Sequence, residues 1–188
     1  KHPSGADLNS VYSPDSIAIV APGNIHDMVE FSQVYKKHGI PYIFDPGQAI
    51  SALSREEMST CMRGAAVMIA NEYEMEMIAR KVQVNRLDLL QMTEAMITTR
   101  GEHGSIVLRQ DREVNIPAIE PQQVLDPTGA GDAYRAGLIK GLVDGKDLIT
   151  AAKMGAVTAS YAIEHYGTQE HHFTLKEFRK RFHQIFGA

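Results

Sequence analysis

The segment 126–138 places a Gly-Ala-Gly run where a turn leads into a helical pattern. Asp126 and Thr128 are residue types that cap helix N-termini well. Gly129 and Gly131 allow backbone conformations that other residues rarely adopt. The N–H groups at a helix start have no intrahelical partner and carry partial positive charge. The segment is therefore predicted to bind an anion at the start of its helix.

Asp132 follows the glycines directly, although a bound anion would repel its carboxylate. The position suits a base that acts on a hydroxyl next to a phosphoryl group. A purely structural interpretation is equally good. In that case Asp132 is an acid in the first helical turn that complements the helix dipole, and the small residues before it only allow close packing. The segment taken alone leaves both interpretations open.

Two further polar segments each follow a short apolar run. Asn71 and Glu74 lie three residues apart, so a helix places them on one face. Their oxygens suit Mg²⁺, which retains several waters, but the spacing is also typical of a helix N-cap with an acid at N3. The segment 99–104 (TRGEHG) offers a threonine for a phosphate and glycines that permit close approach of a nucleotide. It is equally typical of a turn between a strand and a hairpin.

The elements that position these segments follow from the apolar pattern. Short apolar runs predict strands at 16–21, 41–44, 65–70 and 95–98, and a hairpin formed by 105–109 and 113–116. Helical spacing predicts helices at 25–38, from Ser54 onward, and at 71–81, 87–92, 130–144, 147–165 and 174–186. This alternation indicates parallel βαβ units, in which ligands sit beyond the carboxyl ends of the strands. Asn71, Thr99 and Asp126 each follow a predicted strand end, so we expect them along one edge of the sheet.

Composition limits the classes of function. The 188 residues fit one domain, 1–188, with enough length for a sizeable core. The net charge of −4 without a basic run argues against nucleic acid as a partner. The single cysteine, Cys61, excludes an internal disulfide and suits the reducing cytoplasm, where we expect the protein. No apolar stretch reaches the ~20 residues of a membrane span, so no membrane partner is expected.

Three motifs in order carry a resemblance to a known family. The run D-P-T-G-A-G-D at 126–132 resembles the signature of the ribokinase-like (PfkB) sugar and nucleoside kinases, and 71–74 (N-x-x-E) and 99–104 (T-x-G-x-x-G) are similar to two further motifs of that family. The resemblance implies a three-layer α/β/α fold with a mostly parallel central sheet. It covers residue 16 to the end and matches the C-terminal half or more of such kinases. We therefore expect an N-terminal part, with the lid strands, to be missing from this sequence, which opens without Met.

The resemblance also implies roles for single residues. Gly129, Ala130 and Gly131 would form the anion hole for the transferred phosphoryl group, and Asp132 would be the catalytic base. Asn71 and Glu74 would hold Mg²⁺ through water. The residues expected around the ATP are Thr99, Gly101, Gly104, Asn71, Glu74, Ala156 and Gly167. Asp126 and Thr128 would contribute to a site for a monovalent cation such as K⁺.

Flanking residues narrow the resemblance to bacterial adenosine kinases. The runs F-D-P-G-Q at 44–48 and G-T-Q-E-H-H-F at 167–173 are similar to segments of those enzymes. The implied reaction is ATP-dependent phosphorylation of the adenosine 5′-hydroxyl to AMP, a step of purine salvage. Two alternatives stay open: a kinase of ribose or another sugar, and a truncated nucleotide-binding fragment without turnover. An exposed sheet edge in such a fragment would favour pairing with another chain, including a second copy.

Overall fold

The computed structural model describes residues 3–6, 8, 13, 16–110 and 112–187. The predicted loop at 1–15 falls largely outside these residues, and so does Asp111 in the predicted hairpin turn. The chain divides into two compact units. The first unit comprises Lys1–Thr99 and Ile106–Glu113, and the second comprises Arg100–Ser105 and Val114–Ala188. One domain over residues 1–188 stays a prediction.

Among the described residues, six strands form one sheet whose spatial order follows the chain. They are β1 (Ala18–Val20), β2 (Tyr42–Phe44), β3 (Val67–Asn71), β4 (Ala95–Thr99), β5 (Ser105–Arg109) and β6 (Glu113–Ile116). The strands β1 to β4 pair in parallel, and the last pair of the β3–β4 register joins Asn71 to Thr99. The mostly parallel sheet confirms the predicted α/β class.

In the part of the chain that the structure describes, six α-helices connect or follow the strands. They are α1 (Ile25–Lys37), α2 (Arg55–Met62), α3 (Glu72–Val82), α4 (Ala130–Val143), α5 (Leu148–Ala162) and α6 (Leu175–Phe186). The predicted element at 87–92 is a short 3₁₀ helix, Leu87–Gln91, and further 3₁₀ turns cover Gly47–Ser51 and Gly101–His103. Ser54 and Glu57 form the capping box that the sequence predicts for α2. Within the described part of the chain, we find no helix with the length and apolarity that a membrane crossing requires.

The core of the first unit surrounds strands β1 to β4 and is rich in methionine. Unbranched methionine side chains fill irregular gaps between the sheet and its helices. Cys61 is buried in the same cluster, where its thiol lies 3.6 Å from the Met28 carbonyl oxygen. The largest fully buried side chains are Tyr42, Phe44, Ile43, Ile50, Leu53, Met58, Met62, Met68, Ile69, Met75, Ile78 and Leu89.

In the second unit, α4 and α5 pack closely because small residues line their contact. A Cβ atom on Gly137 would lie 2.7 Å from the Met154 carbonyl oxygen, and one on Gly141 would lie 2.7 Å from the Ala151 Cα. The contact therefore leaves no room for a larger side chain at either position. The helix α6 follows, with a capping box formed by Thr174 and Glu177.

Candidate active site

The anion-binding turn, residues 126–131, ends at the start of α4. Gly129 is the N-cap of this helix, with the left-handed backbone conformation φ +82°, and Ala130 is its first residue. The expectation that Asp126 and Thr128 cap the helix is therefore wrong. Asp126 instead accepts a hydrogen bond from the Thr128 N–H (2.9 Å) within the turn. Because Gly129 has no side chain to accept a hydrogen bond, no side chain caps the start of this helix. The Ala130 N–H donates to the Pro127 carbonyl oxygen (3.2 Å).

Close packing explains why position 129 is a glycine. A Cβ atom there would lie 3.1 Å from the Cα of Thr168, and the positive φ adds strain for any other residue. The segment after α5 thus lies directly against the N-cap of α4. Thr168 lies in the run 167–173, which carries part of the resemblance, but the sequence did not predict its contact with Gly129.

Asp132 lies in the first turn of α4 with a largely exposed side chain, at 84% relative exposure. One carboxylate oxygen lies 3.7 Å from Nη1 of Arg135, which is mostly buried. The spacing of three residues on a helix brings the two side chains together. This i,i+3 pair was visible in the sequence as D-x-x-R, but we did not predict it. The guanidinium therefore lies beside the carboxylate that is the candidate general base.

Asp126 connects the anion-binding turn to the end of α5. Its second carboxylate oxygen accepts a hydrogen bond from the Gly167 N–H (3.0 Å). The structure thus brings Asp126, Thr128 and Gly167 together. Both carboxylate oxygens accept backbone N–H groups, which accounts for this aspartate without a cation. The monovalent cation stays a prediction.

Hydrogen bonds lower the pKa of Asp126 below its ordinary value of 3.8; the Thr128 hydroxyl contributes most, followed by the Gly167 and Thr128 N–H groups. A carboxyl whose pKa is lower in the folded state stabilises the fold above its unfolded pKa and loses this contribution as the pH falls through the folded pKa. Asp126→Asn should therefore lower the free energy of unfolding near neutral pH. The deficit should shrink as the pH falls below 3.8. Urea unfolding of both proteins across this range measures it, and a deficit that does not change with pH would contradict the assignment.

Tyr134 holds the inner side of α4 through a buried hydrogen bond. Its hydroxyl lies 2.8 Å from the Ser105 hydroxyl, and the residues are 5% and 1% exposed. Burial is the main reason why the pKa of Tyr134 is raised to about 12. The phenol is therefore neutral at physiological pH and fixes α4 against the start of β5.

Tyr134→Phe should destabilise the protein by about 1–2 kcal/mol, because the buried Ser105 hydroxyl would lose this partner. Ser105→Ala should cost a similar amount. The double variant should cost clearly less than the sum of the two, since both single changes break one interaction. Urea unfolding of the four proteins measures the coupling. Strictly additive costs would show that the two hydroxyls do not stabilise each other.

In the first unit, Asn71 and Glu74 form a reciprocal capping box at the start of α3. The Asn71 side chain accepts from the Glu74 N–H (2.8 Å), and Glu74 accepts from the Asn71 N–H (2.8 Å). The second interpretation of this pair, a helix N-cap with an acid at N3, is therefore correct. Each side chain still offers oxygen, the donor that Mg²⁺ prefers, and Glu74 uses only one of its two oxygens in the box. The donor set fits a water-mediated magnesium site.

The predicted nucleotide contacts differ in what surrounds them. Thr99 ends β4 beside Asn71 of β3, so these two predicted site residues are neighbours. A Cβ atom on Gly101 would meet nothing within 4 Å, whereas one on Gly104 would lie 2.1 Å from the Ile116 carbonyl oxygen. The close approach of the Ile116 backbone thus explains why position 104 is a glycine, without a nucleotide. Ala156 is only 8% exposed and offers little surface to a ligand. Nucleotide binding stays a prediction for each of these residues: Thr99, Asn71, Gly101, Gly104 and Ala156.

Comparisons with known proteins point to one class of enzyme. The family described as pfkB family carbohydrate kinase matches residues 16–174. The nucleoside kinase of Methanocaldococcus jannaschii is 36% identical over 126 residues, which is 67% of this chain and 42% of that protein.

Solved structures of a nucleoside kinase from Burkholderia thailandensis are similar to this chain. The complex with inosine has a TM-score of 0.88 and 33% identity, over 92% of this chain and 58% of that one. The complex with ADP-inosine has a TM-score of 0.91 and 31% identity, over 97% of this chain and 57% of that one. The chain thus spans about half the length of the relatives it matches.

Proposed function

The chain belongs to the pfkB family of carbohydrate kinases and has the ribokinase-like α/β fold, and from this premise we propose that it transfers the γ-phosphoryl group of ATP to a nucleoside hydroxyl. The observation that carries the proposal is the start of α4. Gly129 opens the helix in a left-handed conformation, and the exposed carboxylate of Asp132 follows within its first turn. A phosphoryl group and its acceptor hydroxyl need this combination of N–H donors and a base.

In the proposed reaction, the acceptor hydroxyl lies against Asp132, which takes up its proton as the new O–P bond forms. The bond between the γ-phosphorus and the bridging oxygen of ADP breaks in the same step, and ADP leaves with that oxygen. The N–H groups of residues 129–131 donate to the phosphoryl oxygens and stabilise the charge that develops there. Arg135, whose Nη1 lies 3.7 Å from an Asp132 carboxylate oxygen, would help to orient that carboxylate. Such transfers depend mainly on positioning and electrostatic stabilisation, so rigid support of this turn is the main requirement.

Asn71 and Glu74 would hold Mg²⁺ through water, and the ion would supply positive charge to the phosphates of bound ATP. The capping box fixes both side chains at the end of β3, so they need no reordering when a ligand binds. Thr99 lies next to Asn71 across the β3–β4 pair, which supports the proposal that its hydroxyl would donate to a phosphate. Gly101 and Gly167 would flank the nucleotide.

We propose adenosine as the acceptor, phosphorylated at its 5′-hydroxyl to give AMP. The class of acceptor is supported by relatives described as nucleoside kinases, one of them solved with inosine. Adenine as the nucleobase is supported by the runs 44–48 and 167–173, which are similar to segments of bacterial adenosine kinases. A sugar such as ribose is the second candidate, because the family is described as one of carbohydrate kinases.

The test measures ADP release by this chain with adenosine, inosine or ribose as acceptor, and ATP binding by calorimetry in parallel. Adenosine-dependent release of ADP together with AMP formation would support the proposal. Release with ribose alone would replace it by the sugar kinase. ATP binding without turnover on any acceptor would favour a nucleotide-binding chain, and the absence of ATP binding would remove the proposal altogether.

A further inference from the structure

Arg181 of α6 forms the most extensive polar contact between α6 and α5 among the described residues. Its Nη1 and Nη2 donate to the two carboxylate oxygens of Glu164, at 3.0 and 3.1 Å. Nη1 also donates to the Ser160 hydroxyl (2.9 Å), and the guanidinium carbon lies 3.6 Å from the centre of the Tyr161 ring. The side chains of Arg181 and Glu164 are only 13% and 9% exposed. A fixed bidentate pair stacked on an aromatic ring has little freedom to rearrange.

The same carboxylate also holds the segment that leads into the anion-binding turn. The Gln122 N–H donates to Glu164 Oε1 (2.8 Å). At the preceding residue, just after α5, the Ile163 carbonyl accepts from the Leu125 N–H (2.9 Å) and the Asp126 N–H (3.3 Å). The approach segment, residues 122–126, is thus fastened to the end of α5 at several points. Glu164 is the one side chain among these contacts that is itself held by a third element, α6.

We propose that Arg181 and Glu164 are positioning residues for the anion-binding turn, acting through Gln122 and Asp126. The proposal rests on the proposed function, in which this turn receives the phosphoryl group. Without the guanidinium, the nearly buried Glu164 carboxylate would lack its counter-charge and would shift toward water. Its hydrogen bond from Gln122 would loosen, and the approach segment would lose one of its attachments.

A different account is that the ion pair only docks α6 onto α5. In that case, breaking the pair would lower the melting temperature, but the folded protein would keep its turn unchanged. Amide hydrogen exchange separates the two accounts, because it reports the opening of single hydrogen bonds in the folded state. The affinity for MgADP supplies a second measurement that needs no turnover.

The test compares Arg181→Gln with Arg179→Gln, which removes an exposed cation from the same helix. In Arg181→Gln we expect exchange at the amides of 122, 125 and 126 to accelerate ~10-fold and the Kd for MgADP to rise ~10-fold, within the range of such couplings. Arg179→Gln should change neither by more than about twofold. Wild-type exchange and wild-type affinity in Arg181→Gln would overturn the proposal.

A pair of Glu164 variants tests the connection to Gln122. The amide oxygen in Glu164→Gln can still accept from the Gln122 N–H, so exchange at 122 should stay closer to wild type than in Glu164→Ala. Equal acceleration in both would contradict the proposed route. If Arg181→Gln does not fold, Arg181→Lys keeps the charge but loses the bidentate geometry, and should show the same changes at smaller size. If the wild-type chain does not bind MgADP, the kinase function fails, while the exchange comparison still decides whether Arg181 holds the turn.

Discussion

Replacing Asp132 by asparagine is expected to lower nucleoside-dependent turnover at least ~10²-fold, the usual loss for a general base. The amide has nearly the same shape but cannot accept the proton of the acceptor hydroxyl. The loss corresponds to about 2.7 kcal/mol of transition-state stabilisation. Initial rates of ADP release at saturating ATP and nucleoside measure the effect on kcat.

Two comparisons make the Asp132→Asn result specific. ATP affinity should be unchanged or slightly tighter, because the substitution removes a negative charge beside the phosphate site. Asp144→Asn, which alters an exposed acid paired with Lys140 at the other end of the same helix, should leave turnover within about twofold. Turnover near the wild-type rate in Asp132→Asn would remove this residue from the role of base.

The second large effect is expected for stability, in Gly137→Ala. A Cβ atom at 137 would lie 2.0 Å from the Thr158 hydroxyl oxygen, 2.7 Å from the Met154 carbonyl oxygen and 2.9 Å from the Cα of Gly155. Two of these three atoms belong to the backbone of α5, so a side-chain rotation cannot relieve the overlap. The helices must separate, which costs about 3 kcal/mol. For a chain of this size, the melting temperature should fall by roughly 6–12 °C.

The matched control for this prediction is Gly23→Ala. The nearest atom to a Cβ at position 23 is the Ala21 carbonyl oxygen at 3.7 Å, an ordinary contact. We expect a change within about 0.5 kcal/mol there. Calorimetric melting of both variants gives the comparison. If Gly137→Ala melts within a degree or two of wild type, α4 and α5 are not packed as tightly as the structure indicates.

The fold was predictable from sequence because its signals are local. Strands β3 and β4 coincide with apolar runs, and the α2 capping box is visible as Ser54 with Glu57 three residues later. The first and last residues of the elements were predicted less accurately than the elements themselves. The predicted strand at 16–21 shortens to Ala18–Val20, because only those residues pair with β2. Strand pairing depends on where the neighbouring strand begins and ends, and an apolar run in one segment does not contain that information.

The candidate site was predictable in its motifs but not in its contacts. Asp126 looked like a helix cap, yet the cap is Gly129, because Thr168 leaves no room for a side chain there. The pairing of Arg181 with Glu164 joins α6 to the turn just after α5, and the two residues share no motif. Such contacts arise from how helices pack on each other, so periodicity within one segment contains no information about them.

The order of the strands has a consequence for how the chain can fold. Each described strand has its sequence neighbour as its neighbour in the sheet, so no strand must wait for a partner that is synthesised much later. Pairing with the sequence neighbour keeps each loop shorter than pairing with a more distant strand would, and this lowers the entropy lost in closing it. As the ribosome releases the chain, β2 can add to β1, β3 to β2 and β4 to β3. The sheet can thus grow in the direction of translation, and its exposed growing edge is covered by the next strand to emerge.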